Sequence, residues 1–122
     1  MEKYDAVNYQ HLLIKSYCYW LKEPDADKAN RLVEVAKASG YCEPDQTLTG
    51  SRLNNWVRNE RAPIWAYKAA AEALLKTEYF PETDNETAGL AITLCALAKD
   101  QEDLPDHLQQ VPLLCSLLVS FR

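Results

Sequence analysis

Apolar residues recur at helical spacing along nearly the whole chain, and breaks in that rhythm mark the element ends. Residues 6 to 22 set Val7, Ile14, Tyr17, Cys18 and Leu21 near one face, which predicts an amphipathic helix. Pro24 ends it, because the residue before a proline is pushed out of helical geometry. Asp25 or Asp27 is placed to cap a second helix carrying Ala29, Leu32, Val33 and Ala36, and Gly40 is placed to stop it. Residues 41 to 48 read as a loop around the Pro44-Asp45 turn signal. Thr49 or Ser51 then caps a short polar helix that ends near Asn59. Pro63 opens an Ala-rich helix to about Lys76, since proline at a helix start lacks only an amide that has no partner there.

Tyr79-Phe80-Pro81 breaks the chain again. Thr83-Asp84-Asn85-Glu86 reads as a helix start with carboxylates favourable to the dipole, followed by a helix over about 86–99 that is apolar on much of its circumference. After the acidic run of Asp100, Glu102 and Asp103, the residues Leu113, Leu114, Leu117, Leu118 and Phe121 predict a last helix. The fold class read from this pattern is all-α, a bundle of five or six helices.

Composition narrows the class. A chain of 122 residues is one domain, or a small domain with an extension, and can bury a core without staples. Only three glycines are present, which favours helices over hairpins. The four cysteines, at positions 18, 42, 95 and 115, have no pair at knuckle or redox-turn spacing, so they read as packing thiols. Together with the absence of a basic-then-apolar leader, this points to a cytosolic protein with reduced thiols. The run from Val111 to Val119 contains Pro112 and is too short to span a bilayer, so no membrane partner is expected. No phosphate loop, metalloprotease helix or nucleophile elbow appears, and the acidic runs read as solvated helix ends. No enzyme, metal or cofactor is expected.

Net charge is −5, which argues against indiscriminate phosphate binding over the whole surface. The charge is uneven, however. Residues 49 to 76 hold five basic side chains against two acidic ones, a local +3, while residues 77 to 122 sum to −6.

The positive stretch contains Leu53, Trp56, Asn59, Arg61 and Pro63 at a spacing that resembles the end of the third helix in the Cro/repressor-type helix-turn-helix family. Asn59 stands where the family has glycine, and asparagine tolerates the left-handed conformation. Ala36 and Gly40 resemble the family's small residue and turn glycine. The departure is an insert of about seven residues, corresponding to Tyr41 through Leu48.

The resemblance is specific over residues 49–63 and implies a helix-turn-helix with an expanded turn. It divides the chain into a helix-turn-helix-like domain at 1–79 and a helical extension at 80–122, which dimerises or completes the core. It also implies a small regulator, phage-like or mobile-element-like, binding double-stranded DNA as a homodimer. Thr49, Ser51, Arg52, Asn54 and Asn55 then face the major groove. Arg58 and Arg61 contact phosphates and Lys68 is a further DNA-binding candidate, while Leu53 and Trp56 anchor the helix inward, with Trp56 expected largely buried among Leu53, Ile64 and the Ala-rich helix. The alternative is a protein–protein adaptor or inhibitor on the same scaffold that has lost DNA binding.

Overall fold

The computed structural model describes all 122 residues and contains eight α-helices, one 3-10 turn and no strand. In chain order these are α1 (Lys3–Val7), α2 (His11–Trp20), α3 (Asp25–Ala38), α4 (Gly50–Asn59), α5 (Ile64–Leu75), α6 (Asp84–Ala96), a 3-10 turn (Gln101–Asp103), α7 (Asp106–Gln109) and α8 (Pro112–Ser120). The expectation of five or six helices is corrected in two places. The N-terminal helix is broken at Asn8–Gln10, where the backbone tightens to bonds such as Tyr9 N–H to Ala6 O and Leu12 N–H to Tyr9 O. Val7 is therefore 51% exposed and lies off the predicted face. The second change is α7, a single turn ahead of α8.

Alanines set the centre of the fold. Ala66, Ala69, Ala70, Ala71 and Ala73 are all buried, and their small side chains let α5 pack on α2, α3 and α6 at once. On one side α4 covers α2 and α3. On the other, α6 is covered by α1 and α8. Gly89 of α6 faces the Tyr9 carbonyl so closely that any Cβ would collide with it, which explains why the α1–α2 break sits there. Thr93 is buried and satisfied: it donates to Gly89 O at 2.8 Å and accepts from Gln10 Nε2 at 3.0 Å.

One hydrophobic cluster of 31 buried residues runs from Ala6 to Phe121, across the expected division at 79/80. Leu114, Leu117, Leu118 and Phe121 are buried within their own chain, so the C-terminal extension completes the core.

Caps differ in detail from the sequence reading. Pro24 is the N-cap of α3, with Asp25 and Asp27 in its first turn and no side-chain cap. Thr83 caps α6 by accepting the Glu86 N–H at 3.1 Å, and Glu86 reaches back to the Glu82 N–H at 3.0 Å. Gly40 stands at φ +73, and the Tyr41 N–H closes the end of α3 onto Ala36 O at 2.8 Å.

Candidate functional site

Helix α4 carries most of the residues singled out in the sequence. Thr49 is its N-cap, accepting the Arg52 N–H at 3.1 Å, so its hydroxyl is committed to the helix. Leu53 is fully buried. At roughly 100° per residue, Leu53 pointing inward sends Ser51, Asn55 and Arg58 outward, with Asn54 on one flank and Arg52 and Asn59 on the other. All six are exposed, and none is a carboxylate. Asn59 belongs to this face by helical phase alone. The motif spacing assigns that residue to backbone punctuation and so leaves it out of the face.

The two flanks are electrostatically different. On the Asn54 side, α4 begins against the start of α3. Residues 39–49 do not turn tightly: Gln46, Thr47 and Leu48 lie along Asn30, Val33 and Lys37 of α3, returning the chain to that helix's first turn. Gly50 is there because a Cβ at this position would stand 2.9 Å from Asp25 Cβ and 3.1 Å from the Ala26 nitrogen. Asp25 then accepts a hydrogen bond from Asn54 Nδ2 at 2.9 Å. One candidate groove residue is thus held by a carboxylate of α3. The opposite flank, with Arg52 and Asn59, has no such partner.

Arg52, Arg58 and Arg61 are exposed and make no ion pair; the ion pairs of the fold are Lys28–Asp25, Arg31–Glu23 and Arg122–Asp100, and Glu60 lies 3.9 Å from the His11 ring. The Arg58 guanidinium donates to Asn55 Oδ1 along the outward face. Lys68 stands apart on α5, half-buried, its ammonium 5.7 Å from the centre of the Tyr41 ring. It is therefore tied to the loop that leaves α3. That loop is latched to α5 through Glu72, which accepts from Ser39 Oγ at 2.8 Å and from the Tyr41 hydroxyl. Burial, then the bond to Glu72, pushes the Tyr41 phenol up to about 12.

Three expectations for this segment are corrected. Trp56 is half-buried rather than largely buried. Its partner is Trp65, in an edge-to-face pair with centroids 5.7 Å apart, while Ile64, expected beside it in the core, is 64% exposed. The left-handed residue that ends α4 is Glu60, at φ 54, one position later than the Asn59 of the motif spacing. The Arg61 N–H closes that end onto Trp56 O at 3.1 Å.

No group of three or more His, Cys, Asp or Glu side chains is placed to hold a metal ion, and all four cysteines are free and half-buried. No helix is long and apolar enough to cross a membrane. No family model matches the chain, and no curated protein and no solved structure is significantly similar to it. The class that stands is an all-helical chain with an exposed polar helix face that has no carboxylate of its own and is bordered at Asn54 by Asp25.

Proposed function

We propose that this chain is a sequence-specific regulator that binds double-stranded DNA with the outward face of α4. The observation that carries the reading is that face itself. On a chain of net charge −5, Ser51, Arg52, Asn55, Arg58 and Asn59 form an exposed surface of hydroxyl, amide and guanidinium groups, extended by the unpaired Arg61. Arginine pairs with guanine and asparagine with adenine by two hydrogen bonds each, and a helix fits the major groove. In this reading α3 and α4 act as a helix-turn-helix whose turn is replaced by residues 39–49. Arg52 and Asn55 read bases. Arg58 and Arg61 hold phosphates, which fix position without reading sequence.

The test compares variants on one preferred duplex and on unrelated duplexes. Arg52→Ala and Asn55→Ala should cost about 1–3 kcal/mol at particular bases. Arg61→Ala should weaken binding on all sequences alike, lowering the salt slope by about one. Asp25→Asn keeps a hydrogen-bond acceptor for Asn54 and removes a carboxylate beside the face, so it should tighten binding. Variants with no effect on any duplex would reject the assignment.

The second reading is a protein–protein adaptor that does not bind DNA. The specific observation in its favour is Asp25, whose carboxylate sits on the first turn of α4 and would repel a phosphate backbone there.

A further inference from the structure

We propose that the cationic end of α4 docks on the acidic edge beside α8 of a second copy of this chain, joining copies head to tail. The two surfaces lie on opposite sides of the molecule. Helix α4 packs on α2 and α3, whereas α8 packs on α6 and α7, with α2 and α5 between them. Residues 49–76 sum to +3 and residues 77–122 to −6, so the chain carries its own complement.

Each surface pairs free charge with an exposed apolar side chain. On the cationic side, Arg58 and Arg61 make no ion pair and Ile64, next in sequence to Trp65 of the half-buried Trp56–Trp65 pair, is 64% exposed. Arginine and tryptophan are among the residue types enriched at protein contacts and at their energetic centres. On the acidic side, an open cleft of about 380 Å³ lies between the 3-10 turn and α8. Asp100, Glu102 and Val119 line it, and Val119 is 70% exposed. Arg122, the cation at this cleft, is already paired with Asp100, while Glu102 makes no ion pair.

The apolar face of α8 is not the joining surface, because Leu114, Leu117 and Leu118 are buried within their own chain. Two unlike surfaces make a heterologous contact, which grows into a ring or an open string and does not stop at a two-fold dimer. This inference stands whether or not the chain binds duplex.

Sedimentation velocity of the full chain over a concentration series is the test. At about 50 mM salt the average mass should climb with concentration without levelling at two copies, and at about 500 mM salt it should fall back to one copy, as screened charges lose their reach. Arg61→Glu alone and Glu102→Lys alone should each stay monomeric at low salt. Both positions are exposed, and circular dichroism checks that the fold is kept. Mixed together, the two variants should associate again, since each supplies the surface that the other has lost and the two reversed charges are themselves complementary. A wild type that is monomeric at every concentration in low salt would overturn the proposal, as would association that survives both charge reversals or a mixture that fails to pair. The salt series on the wild type tests the same contact without any substitution.

Discussion

Gly50 lies directly against Asp25: a methyl group at Gly50 would stand 3.0 Å from the Asp25 carbonyl carbon. This contact brings the first turns of α3 and α4 together and lets Asp25 reach Asn54. It also shows why residues 39–49 are needed. Helix α3 is roughly 20 Å long at 1.5 Å per residue, and the chain must travel back along it before α4 can begin.

Gly50→Ala should destabilise the fold by about 1–3 kcal/mol, because the added methyl meets backbone that cannot swing aside. Chemical denaturation measures this. A neutral or stabilising result would mean that α4 does not start against α3.

Leu53 and Trp56 should differ in the order opposite to their size. Leu53 is fully enclosed, so Leu53→Ala should cost about 2–5 kcal/mol. Trp56 is half-buried and rests on Trp65, so Trp56→Ala should cost less, about 1–3 kcal/mol, from a partial burial loss and one aromatic pair. Equal or reversed costs in urea titration would place the helix in another rotation.

The end of α4 gives a two-variant test. Glu60 holds a left-handed conformation that costs a residue with a Cβ about 1 kcal/mol or more, so Glu60→Gly should stabilise. Asn59 is helical, so Asn59→Gly should destabilise by about 0.5–1 kcal/mol. The reverse pattern of melting temperatures would return the left-handed position to Asn59.

Tyr41 gives a pH dependence with a definite sign. Its folded-state phenol is raised from the ordinary 10 to about 12, so the neutral form is favoured by folding. That contribution is complete below pH 10 and disappears as pH rises through about 12. Tyr17 and Tyr79 are also pushed up by burial, so the wild type should lose stability on the alkaline side through all three. Tyr41→Phe should begin about 1 kcal/mol less stable at neutral pH and decline less steeply above pH 10. Parallel curves for the two proteins would show that the Glu72 latch contributes nothing.

The helical class and most element boundaries were legible because they rest on local signals: apolar spacing, prolines, Thr49 and Thr83 as caps, and Gly40 as a stop. The break at Asn8–Gln10 was not, because it depends on Gly89, far along the chain, meeting the Tyr9 carbonyl. The return path of residues 39–49 was hidden for a similar reason. An insert can be counted from sequence, but Gly50 shows its role only when Asp25 lies beside it. At the candidate face, Ser51, Asn55 and Arg58 follow from helical phase once Leu53 is known to be buried. The Asp25–Asn54 bond and the attachment of Lys68 to Tyr41 are long-range contacts with no local signature.

DNA binding by α4 is tested most simply by the affinity of the wild-type chain for pooled duplex DNA, followed by fluorescence anisotropy at about 50 and 200 mM salt. Binding is expected at micromolar protein or below in low salt. The expected logarithmic salt slope is about −2 to −3 per chain, from roughly 0.9 per phosphate neutralised by Arg58, Arg61 and a third cation. No binding at micromolar protein in low salt, with the helical spectrum intact, would contradict DNA recognition by this face and leave the adaptor reading in its place.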